Sequence, residues 1–275
     1  MTLWEAIVCG VLQGLAEFLP ISSSGHLAIA HALFGMRTAS EAVSFDVLLH
    51  LATLLVVLFA YFREVIALIP AAFRLIGKAA RGKARFATLT VREREVILLL
   101  LGTVPLAGAF WIGDAVEAVA GSPRTVGVLL MMNGLLLLWA DHFSASREKK
   151  EQLSPGDALG VGVFQLFALF PGISRSGATI AGGMAFGLDR REAVRFSFLL
   201  SVPAILGANV KALPELLQTT IPKTELCYEL IGMGCALVCG FAALCALKVL
   251  ASKDKFGFFG YYCMACGALT AIFAR

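Results

Sequence analysis

Eight apolar blocks divide this chain, and most of them match the length of a membrane-crossing helix. They run Leu3–Phe34, Val43–Phe62, Val96–Ile112, Val126–Ala140, Ala158–Leu188, Phe196–Leu213, Leu226–Leu250 and Phe256–Phe273. A bilayer core of about 30 Å takes roughly 20 apolar helical residues to cross. Only 15% of the 275 residues are charged and 59% are hydrophobic. Soluble domains carry about 25% charged residues, so this chain cannot dress a water-facing surface. The pattern predicts an all-α integral membrane protein.

Two of the blocks are anomalous. Leu3–Phe34 and Ala158–Leu188 are each about 30 residues long, too long for one simple span and too short for two spans with a loop. Each is interrupted by a proline and a polar phrase: Ile21-Ser22-Ser23-Ser24-Gly25 in the first, Ile173-Ser174-Arg175-Ser176-Gly177 in the second. An offset of 152 residues aligns them without a gap, and it also aligns Gln13 with Gln165 and Gly10-Val11 with Gly162-Val163. Each broken block reads as a helix–loop–helix that enters and leaves on one side. Irregular backbone at membrane depth is tolerated only where protein or a polar cavity surrounds it.

Loop charge supplies an orientation. Basic residues gather between Arg63 and Glu95, after Asp141 (Arg147, Lys149, Lys150), at Arg190, Arg191 and Arg195, and at Lys248, Lys253 and Lys255. The other connections carry Arg37, Arg124, or Lys211 with Lys223. The positive-inside rule puts the rich set in the cytoplasm. Traced this way, block one starts and ends outside, and block five starts and ends inside. The remaining six blocks cross, and both termini lie outside. The expected fold is six transmembrane helices plus two re-entrant segments in one membrane domain over 1–275. It is an inverted repeat, with repeat one at about 1–141 and repeat two at about 155–275.

Net charge is +4, carried in short loops with no nucleic-acid motif. No cleavable signal peptide is expected, because the N-terminus lacks a basic region and Glu5 and Glu17 interrupt its apolar run. The seven cysteines, Cys263-x-x-Cys266 included, read as buried small hydrophobes.

Ionisable groups at membrane depth are costly and mark function. Glu17 is one, with Gln13 a helical turn before it on the same face. His26 follows the first Ser-Gly phrase. Arg175 needs an anionic partner. An ion pair with Glu17 and a phosphate site are both open to it, and its planar fork suits phosphate oxygens. Each Ser-Gly phrase opens a helical run, so two helix N-termini would aim anion-binding N–H groups at one point. Asp46 reads as a surface residue near the outer end of block two, and His50 as a group that lines the cavity or packs on it. No metal-ligand spacing is visible. A hydrolase and a transporter of a phosphate or lipid-phosphate head group both suit such a site.

Gly14-Leu15-Ala16-Glu17-Phe18-Leu19-Pro20-Ile21-Ser22-Ser23-Ser24-Gly25-His26-Leu27 and Pro171-Gly172-Ile173-Ser174-Arg175-Ser176-Gly177-Ala178-Thr179-Ile180 closely resemble the two signature motifs of the undecaprenyl-diphosphate phosphatase family, the bacitracin-resistance type. The resemblance extends to Phe45–His50 and Phe196–Pro203. It implies an enzyme of the bacterial cytoplasmic membrane, working from its outer face among membrane lipids. Such an enzyme removes the terminal phosphate of a polyprenyl diphosphate lipid, regenerates the carrier for cell-wall synthesis and gives bacitracin resistance. The motif residues fall on Glu17, Ser23, His26 and Arg175 as catalytic groups. Ser23 is the candidate nucleophile, with Glu17 and His26 as base and acid; His26 as nucleophile is the rival. Ser22, Ser24, Gly25, Ser174, Ser176, Gly177, Thr179 and Gln13 are expected at the substrate. The family implies a divalent cation, Mg²⁺ or Ca²⁺, for which Glu17 is the ligand. Some relatives carry an acidic residue where this chain has Gln13. No nucleic-acid partner is expected, and a homodimer is left open.

Overall fold

The computed structural model describes residues 1–34, 43–145, 149–218, 222–251 and 256–274. Arg37, Arg147, Lys253 and Lys255, counted above in the loop charge, lie outside the described residues. The described chain is all-helical. The first broken block forms α1 (Leu3–Phe18) and α2 (Ser23–Phe34). Next come α3 (Val43–Ala60), α4 (Phe62–Ala80), α5 (Val91–Thr103), a 3₁₀ turn at Val104–Gly108, α6 (Ala109–Ala120) and α7 (Pro123–Ala145). The second broken block forms α8 (Pro155–Phe167) and α9 (Arg175–Ala185), followed by α10 (Arg190–Gln218), α11 (Lys223–Ala251) and α12 (Gly257–Phe273).

Four helical stretches are long and apolar enough to cross a membrane: Val91–Ala120, Pro123–Phe143, Arg190–Pro214 and Lys223–Ala251. The bent pair α3–α4 makes a fifth if counted as one span. Exposed apolar side chains such as Phe59, Phe110, Trp111, Val238 and Ile272 cover a surface that only lipid would solvate. The two anomalous blocks break as expected. α1 ends at Phe18, ahead of Pro20, and α8 ends at Phe167. At 16 and 13 residues neither is long enough to cross alone.

Residues 63–95 differ from the expected loop. α4 occupies most of that stretch and turns 87° from α3. Phe62, Ile66, Ile69, Phe73 and Ile76 recur at three- and four-residue spacing along it and are exposed. Lys78 and Arg74 reach back to Glu93 at the start of α5, at 2.7 and 3.7 Å. An apolar stripe with a basic face suits a helix lying in the membrane interface. Its charges keep it from reading as a spanning run on its own.

Glycines set how closely the long helices pack. α1 packs on α11, α8 on α5, α3 on α10 and α7 on α12. A Cβ on Gly10 would lie 2.2 Å from the Gly232 carbonyl oxygen, and one on Gly162 would lie 2.4 Å from that of Gly102. On the α7–α12 seam, a Cβ on Gly127 would lie 2.7 Å from the Ala271 nitrogen. Without a hydrophobic force between helices in lipid, such small-residue seams let backbones approach. Gly127→Leu is expected to lower thermal stability in detergent by at least about 1–3 kcal/mol. Gly234→Leu, where nothing lies within 4 Å, should leave the melting temperature unchanged.

Candidate active site

The two Ser-Gly phrases meet inside the protein. After α1, Leu19 is extended, and Ser22 adopts the left-handed region at φ 71°, a strained conformation for a non-glycine residue. Ser22 then caps α2: its carbonyl accepts the His26 N–H at 3.1 Å and its hydroxyl accepts the Gly25 N–H at 3.2 Å. Ser174 caps α9 in the same way, accepting the Gly177 N–H at 3.1 Å. The loops are also tied to each other. The Gly172 N–H donates to Ser22 Oγ at 3.2 Å, and Ser176 Oγ donates to the Leu19 carbonyl at 3.4 Å. A Cβ on Gly25 would sit 3.0 Å from Gly172 Cα, so the crossing point requires glycine.

Asn133, on α7, holds both loops at once. Its Nδ2 donates to the Pro20 carbonyl at 3.0 Å, and its Oδ1 accepts the Ser174 N–H at 3.0 Å. It is buried, as are Ser22, Ser174, Ser176 and Thr179. Thr179 donates to the Arg175 carbonyl at 2.8 Å and pairs with buried Ser197 at 2.6 Å. Asn133 and Ser197 were not among the expected site residues. A lone Asn in the apolar block Val126–Ala140 was the signal for the first.

The crossing brings Glu17 and Arg175 into contact. Arg175 Nη2 donates to Glu17 Oε1 at 2.6 Å. The other carboxylate oxygen accepts from Ser23 Oγ at 2.6 Å and from Gln13 Nε2 at 3.3 Å. Two buried polar atoms of this cluster, Arg175 Nη1 and Gln13 Oε1, have no hydrogen-bond partner among the described residues. A cavity of about 240 Å³ opens here, lined by Glu17, Ser22, Ser23, Ser24, His50, Ser174 and Arg175 together with Gln165 of α8 and apolar residues of the α8–α9 loop and α10. Beside it lies a vestibule of about 700 Å³, lined in part by Gln13, Asp46, His31, Glu117 and Gly121. An unpaired guanidinium nitrogen, a hydroxyl held on a carboxylate and a strained turn in one cavity are the parts of a site that binds an oxyanion and transfers a group.

The model of the bacitracin resistance protein BacA family matches residues 6–269. The chain belongs to that family. Among its relatives, the undecaprenyl-diphosphatase of Desulforapulum autotrophicum is 38% identical over 99% of this chain and 98% of its own length. Those of Protochlamydia amoebophila and Pelotomaculum thermopropionicum are 33% and 35% identical, over 99% and 100% of this chain and 99% and 97% of theirs. With its spanning helices, this member of the family is a multi-pass membrane protein.

The expected site residues divide by position. Glu17, Ser23, Ser24, Arg175 and Gln13 face the cavities. Ser22 and Ser174 also line the inner one, but their hydroxyls are spent on helix caps. Gly25, Ser176, Gly177 and Thr179 build the crossing rather than face either cavity. His26 is placed differently from expectation, because it lines neither cavity. Its Nδ1 donates to the Ser22 carbonyl at 2.8 Å, its Nε2 accepts from Tyr262 Oη at 2.8 Å, and the two rings stack at 5.7 Å. The ring folds back on its own turn and against α12, so it braces the strained Ser22 carbonyl. Among the described residues, the imidazole that reaches the inner cavity is His50.

Proposed function

We infer that this protein hydrolyses undecaprenyl diphosphate to undecaprenyl phosphate and inorganic phosphate. The observation that carries the reading is the Ser23–Glu17–Arg175 cluster at the cavity, with Arg175 Nη1 buried and without a partner among the described residues. The relatives' name, undecaprenyl-diphosphatase, agrees with it. Glu17 takes the Ser23 proton as Oγ attacks the terminal phosphorus, and the bond to the departing lipid phosphate breaks. Water then cleaves the seryl phosphate and restores Oγ–H. Arg175 Nη1 holds the equatorial oxygens, where charge spreads in the transition state. The capping serines take the third N–H of α2 and α9, and the first two N–H groups of each helix are free for phosphate. Regenerating the carrier serves cell-wall synthesis and lowers the diphosphate lipid that bacitracin sequesters.

The helix pairing supports an inverted repeat within one domain over 1–275, repeat one at about 1–141 and repeat two at about 155–275. The α1–α11 contact mirrors α8–α5, and α3–α10 and α7–α12 join corresponding helices. In this arrangement α1–α2 and α8–α9 are re-entrant, and six helices cross. The vestibule is bordered by the α6–α7 junction, which loop charge puts on the extracytoplasmic side of the cytoplasmic membrane. Buried Gln13 Oε1, without a partner among the described residues, is the atom that would join Glu17 in holding a divalent cation that arrives with the diphosphate, since Mg²⁺ keeps positions for water and phosphate oxygens. Bound, that ion neutralises diphosphate charge.

The inverted repeat with broken helices also favours a transporter. Purified protein given undecaprenyl diphosphate in detergent is expected to release inorganic phosphate, more slowly with chelator and at the full rate after Mg²⁺ or Ca²⁺ is restored. A preparation that binds the lipid and releases none is a carrier, and the hydrolytic reading fails.

A further inference from the structure

The cluster described so far offers phosphate one guanidinium, half of it committed to Glu17. A second basic side chain in the same cavity has no part in that chemistry. His50 lies on α3, one turn after Asp46. Its Nδ1 donates to the Asp46 carbonyl at 2.9 Å and stands 3.5 Å from the Asp46 carboxylate. That contact fixes the ring's orientation and leaves Nε2 as the free end. Nε2 makes no hydrogen bond to any described residue, and the side chain is 34% exposed.

The position of this ring carries the argument. Among the described residues, three line both the catalytic cavity and the vestibule: Ser23, Ser24 and His50. They form the neck between the two spaces. Ser23 is the hydroxyl nearest the reaction, so a group bound at the neck opposite it meets the terminal phosphate before transfer and the freed phosphate after it. The vestibule beyond is lined by Asp46 and Glu117, carboxylates that repel phosphate and do not retain it.

We propose that His50, oriented by Asp46, contacts the terminal phosphate through Nε2 at this neck and is the second phosphate-binding residue of the site. With the Asp46 carboxylate on one side and phosphate on the other, the ring donates from both nitrogens. The assignment rests on the hydrolytic reading given above. Because the contact is made with the bound substrate and again with the product, its loss weakens both bindings more than it slows the chemical step.

The test uses inorganic phosphate as a product inhibitor of undecaprenyl diphosphate hydrolysis by the purified full chain. His50→Ala is expected to raise KM and the phosphate inhibition constant together by about tenfold, as for a lost hydrogen bond to a charged group, with kcat falling less than threefold. Two amides separate binding from packing. The His50→Gln amide reaches the place of Nε2 and should return both constants to within threefold of wild type. The His50→Asn amide sits where Nδ1 was and should behave like alanine. The reverse order, with Asn near wild type and Gln impaired, would show that the Asp46 tie alone matters and would overturn the proposal. So would an unchanged inhibition constant in both His50→Ala and His50→Asn. If wild-type protein releases no phosphate at all, the hydrolytic reading itself has failed.

Discussion

Arg175→Lys, purified in detergent, is expected to lose about 10²–10³-fold in kcat while folding normally, the scale of removing one donor from a charge-stabilising site. The reason is the division of labour within one guanidinium. Nη2 holds Glu17 at 2.6 Å, and Nη1 is buried without a partner among the described residues. Lysine keeps the positive charge, so Glu17 is not left as an uncompensated buried carboxylate, the change that breaks folds. A single ammonium cannot hold Glu17 and present a second, fixed donor to phosphate. The measurement is phosphate release alongside thermal unfolding. Turnover within threefold of wild type would remove the fork from the mechanism. A collapsed melting temperature would show that the ion pair is needed to join the two loops. Glu17→Gln then separates these roles, since the amide keeps shape without charge and should lose turnover by disabling the base.

The meeting of Glu17 with Arg175 was legible in the sequence because Glu17 lies one turn before one copy of the polar phrase and Arg175 lies within the other, both inside apolar blocks. Polar backbone at that depth must converge on something polar. The direction of individual rings was not legible. His26, which shares α2 with His31, and His50 both lie in apolar helices. Adjacency to the Ser-Gly phrase favoured His26, yet that ring closes on the Ser22 carbonyl and Tyr262, and His50 reaches the cavity from a different helix. The turn of His26 depends in part on Tyr262, 236 residues away in the chain, and spacing does not report such a partner.

The serines teach a second lesson. Read as hydroxyls in a row, Ser22, Ser23 and Ser24 look equivalent. A serine directly before a helical run is most often its cap, and applying that rule to both phrases singles out Ser22 and Ser174. The residue after each cap then projects into the site: Ser23 from one loop and Arg175 from the other. The repeat thus places a hydroxyl and a guanidinium at corresponding positions, and with Leu169 standing where the first repeat has Glu17, these differences make the chemistry asymmetric. Helix α4 escaped for a different reason. Its apolar residues follow a helical stripe, but Arg63, Glu64, Arg74 and Lys78 exclude it as a spanning segment on its own, and the stripe acquires meaning only at an interface.

Ser23→Ala is expected to reduce turnover by at least about 10³-fold, as loss of an attacking side chain does in other hydrolases, and to abolish any acid-stable phosphoprotein trapped during turnover. The geometry assigns the role to Ser23 rather than its neighbours. Its Oγ–H is held on Glu17 Oε2 at 2.6 Å, while Ser22 Oγ is spent on the Gly25 and Gly172 N–H groups. Ser24 Oγ is 3.4 Å from Ser22 Oγ and has no base beside it. Ser24→Ala, which also borders the neck, should therefore keep turnover within about tenfold of wild type. If Ser23→Ala retained turnover on that scale and no phosphoprotein formed in wild type, the attacking group would be a water held by Glu17, and Ser23 would serve only to orient it. The same Glu17 carboxylate is the base in either case, so Glu17→Gln stays inactive while Ser23→Ala decides whether the phosphoryl group passes through the protein.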